Sequence, residues 1–390
     1  MSSNAYTIRP ITTGPKYHWF GYYDKRQFDP DGRYVLGMEV DFEHRSPTAD
    51  DVITVGMVDL EDRDRWVELG ESRAWCWQQG CMLQWIPGSA DEVIWNDRKD
   101  GQFVSHILNV HTRVKRTLDY SIYTLSPDGL TGIGTDFRRI NHMRPGYGYA
   151  GIPDPNHDVL APADSGIYSV DLQSGQVKQL ITIEDVVAIP YPRGDIRQAK
   201  HYFNHLLINT DGSRFIFLHR WRVGDQGFDT RMMTAAMDGS DIQVVDDYGK
   251  MSHFIWRDPK VILAWSWQPS DGEAFYLYQD GPIPNNAKVI GKGVMTLNGH
   301  CTYLPNNEWI LNDCYAGQTK DRLQELYLYN VGQGQRIELG AYHSPEIYEG
   351  EWRCDLHPRF SPDGTKIVID SPHGGDGRQM YLVDVSGIVG

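Results

Sequence analysis

One unit recurs along this chain and limits what it can become: a short apolar strand, a turn built on Asp and Gly, then a second apolar strand. In the last copy, Leu356-His357-Pro358-Arg359-Phe360 leads into Ser361-Pro362-Asp363-Gly364, and Lys366-Ile367-Val368-Ile369 follows. Pro presets φ at the first corner, Asp bonds back to its own backbone, and Gly takes the positive φ of the second corner. Units of this kind start near Phe20, Cys81, Ser121, His205, His253 and His300. Two further strand-like runs follow most of them, as at residues 52–59 and 65–69 after the first. Seven units at roughly 40–60-residue spacing predict an all-β, seven-bladed β-propeller, one domain over residues 1–390. The last unit lacks a fourth strand. Residues 6–11 are placed to supply it and close the ring, which removes an exposed sheet edge.

Composition agrees with many short strands. The 12 Trp, 22 Tyr, 39 Gly and 21 Pro suit strands joined by turns. No helical period is sustained; residues 182–200 come closest, and Pro190 and Pro192 interrupt them. A formal net charge of −15 argues against nucleic-acid binding, which needs a basic face, so an anionic ligand has to be held by local arginines. The five cysteines form no CxxC pair and read as free thiols. The polar N-terminus shows no secretory signal and no run approaches a membrane span, which gives a cytoplasmic expectation with no membrane partner.

Register then picks out side chains. His205, His253, His300 and His357 each stand about six residues before a turn, and equal register in a repeat fold means equal position. Four imidazoles would gather at one mouth of the central channel, where they can bind a metal, take a proton or bond a sugar. Arg353 and Arg359 flank His357, and Arg220 follows His219; Arg is a natural clamp for a carboxylate. Strand alternation puts Arg359 on the face of His357. An insertion at about residues 136–165 reads as a long binding loop, with His142, Arg144, Tyr147 and Tyr149 as contacts. The aromatic stretch at residues 17–25 reads mainly as packing, with His18, Asp24 and Lys25 as its polar members.

The last three units resemble the oligogalacturonate lyases, propeller polysaccharide lyases that bind a divalent metal, typically manganese, through three His and one Gln. His300 matches the ligand of the penultimate blade. His357 matches the first His of the Gln-x-x-His-x-His run, and Arg353 the Arg before its Gln. Cys354 stands where the Gln is expected and Arg359 where the third His is, so the resemblance carries over two metal ligands of four. His253 falls where the family has its proposed catalytic base.

These readings combine into β-elimination on a uronate-containing oligosaccharide. His253, supported by His205, is the base; Arg353 and Arg359, or a metal on His300 and His357, neutralise the carboxylate; His18, His142, Arg144, Tyr147 and Arg220 contact substrate. One alternative is glycoside hydrolysis, for which Asp97, Asp136, Asp313 and Asp370 are the candidate carboxylates. Another is a propeller that only binds a glycan or a protein, since fold does not set function.

Overall fold

The Asp-Gly corners close as their chemistry requires. In the last copy the Gly364 N–H donates to the Ser361 carbonyl, and Gly32, Gly129 and Gly364 sit at φ 68°, 71° and 74°. Around such corners the chain forms seven four-stranded antiparallel sheets in a ring, a seven-bladed β-propeller. The computed structural model describes residues 6–224, 226–283 and 287–390. The reading of a polar leader-free start falls mostly on residues 1–5, outside the described residues.

Blade one contains Tyr17–Trp19, Tyr34–Val40, Ile53–Asp59 and Arg65–Ser72. Blade two opens with Gln84–Trp85, blade three with Thr124–Leu125, blade four with Lys200–Ile208, blade five with Met251–Trp256 and blade six with Thr302–Tyr303. Blade seven holds Arg359–Phe360, Lys366–Ser371 and Gln379–Asp384, and its outer strand is Thr7–Pro10 from the other end of the chain. Thr7 pairs with Asp384 and Pro10 with Tyr381, so the N-terminal strand does join the last blade. Apolar side chains of adjacent blades pack between the sheets. One such cluster joins Leu311, Leu326 and Leu328 of blade six to Ile367, Ile369 and Val383 of blade seven.

Three local departures from the repeat place the site. First, residues 20–25 leave blade one and do not continue its inner strand. Tyr22 packs on His205 and His357, Tyr23 packs on His253 and His300, and the Tyr23 hydroxyl donates to the Phe254 carbonyl at 2.7 Å. A segment from blade one thus reaches blades four to seven and fills the channel between them. Second, the inner strands of blades four and five are long and bulged, at 204/207 and 251/254. His205 lies inside its bulge at φ 50°, and His357 sits at φ 42° just before its strand. Such a twist re-aims a side chain out of the normal alternation.

Third, the excursion between Thr131–Thr135 and Gly166–Asp171 contains a helix, Phe137–Met143, where the sequence suggested only loop. Asp136 caps it by accepting from the Arg138 N–H, and Phe137, Ile140 and Met143 bury their side chains beside blade four. Its buried Arg139 pairs with Asp154 and donates to the carbonyls of Asn156, Val159, Leu160 and His201. No helix among the described residues is long and apolar enough to cross a membrane.

Removing residues 1–10 bares the Gln379–Asp384 edge. The shortened protein is expected to melt several degrees lower and to associate as its concentration rises, read by thermal scanning and size-exclusion chromatography. An unchanged melting temperature with a monodisperse profile would show that the strand contributes little to closure.

Candidate functional site

Three of the four histidines in equal register converge. The His300 ring centroid lies 4.1 Å from that of His253 and 4.1 Å from that of His357. His205 stands one layer aside, stacked on Phe254 at 3.9 Å and joined to the others through Tyr22 and Tyr23. All four side chains are buried.

Asp313, at the end of the second strand of blade six, fixes the imidazole of His300 and the backbone of His357. Its carboxylate accepts from His300 Nδ1 at 2.9 Å, from the His300 backbone N–H at 2.6 Å and from the His357 backbone N–H at 3.2 Å. With Nδ1 donating to Asp313, the lone pair of His300 is on Nε2. The His357 Nε2 is buried with no hydrogen-bond partner. His300, His357 and Asp355 each offer a ligand atom, all within 4.8 Å of one another. Two imidazoles and a carboxylate suit a divalent cation, the unpartnered Nε2 is the kind of atom a metal satisfies, and the Asp313–His300 bond is a usual outer support for a ligating His. Burial first, then His300 and the nearby arginines, hold the pKa of His357 well below the ordinary imidazole value, so it is neutral and able to ligate.

His253 has a different setting. Its Nδ1 faces Asn298 Oδ1 at 3.3 Å, and the Asn298 amide donates to Ser252 Oγ at 3.1 Å, which directs its oxygen toward the ring. Nδ1–H therefore donates, and Nε2 keeps its lone pair, 2.9 Å from the Tyr315 hydroxyl. Burial, then the neighbouring His300, lowers the pKa of His253 far below the ordinary value. It is a neutral, oriented acceptor.

Beside this cluster stands a wall of arginine and tyrosine. Arg353 donates to Tyr147 Oη at 2.6 Å and to Asp355 at 2.6 Å. Arg144 lies over the Tyr147 ring at 3.8 Å and shares Phe228 with Arg220. Burial alone would raise the pKa of the Tyr147 phenol; Arg144 and Arg353 outweigh it and hold it below the tyrosine range. Among the described residues neither Arg144 nor Arg220 has a carboxylate partner, and Arg220 Nε is buried without a hydrogen bond. Unpaired buried guanidinium is costly, and an anionic ligand relieves it.

Other candidates lie elsewhere. Arg359 does not join the cluster. His357 is outside the strand, so alternation fails, and the Arg359 guanidinium binds Asp370 at 2.7 Å and Gln27 at 2.9 Å, beneath the channel filling. His18 bonds Glu39 and Gln379, and His142 faces Lys200 and His157 on the outside of the inserted segment. Tyr149 is packed on Phe137. The four aspartates considered for hydrolysis sit in separate places with their own partners: Asp97 with His106, Asp136 with Arg138, Asp313 with His300 and Asp370 with Arg359. Cys354 is buried, and its thiol is pushed up by burial; the acid next to it, Asp355, completes the His300–His357 group. Sequence reasoning passed over Asp355, Tyr315 and Asn298. Only Asp355 carried a signal, as an acid two residues before His357.

Comparison with known proteins bears on the fold. No family model and no curated protein matches this sequence. Among solved structures, an oligogalacturonate lyase in complex with manganese superposes at a TM-score of 0.67 with 15% identity, over 97% of this chain and 92% of that one. An oligogalacturonate lyase from Vibrio parahaemolyticus superposes at 0.66 with 16% identity, over 98% and 95%. The propeller domain of the Trilobed protease from Pyrococcus furiosus reaches 0.52 at 10% identity, over 93% and 95%. The resemblance read in the last three units thus extends, as a likeness of fold, over nearly the whole chain.

Several imidazoles are kept neutral by burial: His201 and His205 at about 4, with His219, His253 and His357 also held well below the ordinary imidazole value. Below about 6.5 the unfolded chain takes up protons that the folded one refuses, so stability falls with pH through that point and down to about 4. Asp246, raised to about 6 by burial, and Asp29, also raised by burial, act in the opposite direction but are two groups against five. The melting temperature is expected to be lower at pH 5 than at pH 7, and equal values would contradict the neutral assignment.

Proposed function

We propose that this propeller is a lyase that cleaves a uronate-containing oligosaccharide by β-elimination. The observation that carries the reading is the meeting, in one buried cluster, of a neutral oriented base, a metal-competent group and unpaired guanidiniums. β-Elimination asks for those three parts. The uronate carboxylate must be neutralised so that the adjacent C–H becomes acidic, a base must take that proton, and the leaving oxygen must gain one.

Arg144, Arg220 and Arg353 bind and orient the substrate carboxylates. His253 Nε2 takes the proton from the carbon next to the carboxylate. The electron pair left behind forms a carbon–carbon double bond as the glycosidic C–O bond at the neighbouring carbon breaks. Tyr147, its phenol acidified by Arg144 and Arg353, is placed to give the leaving oxygen its proton. Tyr315 donates to His253 Nε2 until substrate displaces it, which keeps the lone pair aimed at the cluster. A divalent cation held by His300, His357 and Asp355 would add positive charge beside the carboxylate. Manganese is the first choice, because the superposed lyase structure is a manganese complex. The ligand set differs from three His and one Gln, since here Asp355 joins His300 and His357.

The direct test is ultraviolet absorbance of unsaturated uronate, followed on a panel of uronate oligosaccharides. A signal is expected on at least one of them, and His253→Ala is expected to reduce kcat by about 10²–10⁴-fold. Absence of signal across the panel, or full activity in His253→Ala, would overturn the assignment. For the metal, equilibrium dialysis against manganese is expected to show one bound ion. Asp313→Asn should weaken it by about 10–100-fold through loss of the His300 support. If native protein retains no ion after dialysis and its activity is indifferent to chelator, the arginines alone neutralise the carboxylate.

A further inference from the structure

The opposite mouth of the channel holds a separate cavity of about 430 Å³. It lies at the turn end, as the residues around it show: Pro30 and Pro362 belong to Asp-Gly corners, and Trp85, Ile255 and Thr302 come from inner strands of blades two, five and six. Blades one, two, five, six and seven all contribute, so it sits on the axis. Its floor is the channel-filling segment, Tyr23, Asp24 and Lys25, which separates it from the histidine cluster.

The lining is apolar at the sides, with Phe28, Trp85, Ile86, Ile255 and Phe360, and cationic in balance. Of the charged side chains that line it, Lys25 is paired with Asp24 at 2.8 Å and Arg359 with Asp370 at 2.7 Å. Arg26 has neither a hydrogen bond to its side chain nor an ion pair among the described residues, and its side chain is exposed at the cavity. An uncompensated cation at the axis is out of keeping with a chain of net charge −15. A cavity of a few hundred Å³ with aromatic walls and one charge that fixes orientation has the build of a small-molecule site.

We propose that this cavity is a second ligand site, distinct from the histidine cluster, that takes a small aromatic carboxylate. The ring lies against Trp85, Phe28 and Phe360, and the carboxylate pairs with Arg26. The geometry matches the two-point recognition that guanidinium offers a carboxylate. An oligosaccharide is a poorer fit, because several polar side chains of the wall, among them Lys25, Gln27 and Arg359, are already bonded to protein partners and are not free to meet its hydroxyls.

The test is isothermal titration calorimetry of the full-length protein with 2-naphthoate and with its uncharged counterpart 2-naphthamide. Naphthoate is expected to bind at one site, and naphthamide about tenfold more weakly. Arg26 is exposed, so Arg26→Gln should fold normally, which circular dichroism checks; it should lose about tenfold for naphthoate and nothing for naphthamide, with Arg26→Lys partly restoring the difference. Arg353→Gln, at the other mouth, should leave naphthoate binding unchanged. The proposal is overturned if native protein binds no naphthoate, if Arg26→Gln binds it as native does, or if Arg353→Gln abolishes it. None of these readings depends on lyase activity.

Discussion

A buried charge chain on the propeller axis organises this molecule. Lys25 pairs with Asp24, and Asp24 bonds His205 Nε2 at 3.2 Å; all three side chains are almost wholly out of solvent. Burial alone would raise the pKa of Asp24, but Lys25 and then His205 hold it at about 2, so this carboxylate stays ionised. Ion pairs of this kind contribute little net stability, yet breaking one costs about 3–5 kcal/mol, because a charge is left unpaired. The chain therefore specifies position: residues 20–25 have one way to cross the channel. With them in place, Tyr22 and Tyr23 pack on the four histidines of equal register, and the crossing segment lies between the histidine cluster and the cavity at the turn end.

Repeat symmetry supplies the scaffold, and its local violations supply the site. Asp313 and Asp370 occupy like positions at the ends of second strands in blades six and seven. Asp313 orients the His300 imidazole and holds the His357 backbone, whereas Asp370 binds Arg359 and accepts from the Phe20 and Gly21 N–H groups that start the crossing segment. One acid supports the histidine cluster, and its counterpart anchors the segment the cluster rests on. The positive φ at His205 and His357 belongs to the same pattern, since strained backbone persists where its surroundings determine it fully.

The inserted segment of blade three brings the remaining pieces. Its helix packs beside blade four through apolar contacts, and past its end Arg144 and Tyr147 reach Arg353 from blade seven. Three guanidiniums and an acidified phenol are thereby gathered from three blades, in a chain whose overall charge is strongly negative. Local concentration of cations beside the histidine cluster, and not net charge, sets the electrostatics there.

From the sequence alone came the seven units, their turns, the closure by an N-terminal strand and the common register of four histidines, because each is a local pattern of hydrophobic alternation and turn chemistry repeated at fixed spacing. Arg353, Arg144, Arg220 and Tyr147 were also within reach, as polar residues at strand entries or in the long insertion. Tertiary structure decided which of these meet. Arg359 was expected beside His357, but a backbone turn of opposite hand precedes its strand and sends its side chain to Asp370. His18 and His142 are drawn off by nearby acids and by Lys200. Asp355, Tyr315 and Asn298 are found only in the fold, because ligand geometry, tautomer and desolvation depend on distances between blades that no single stretch of sequence contains.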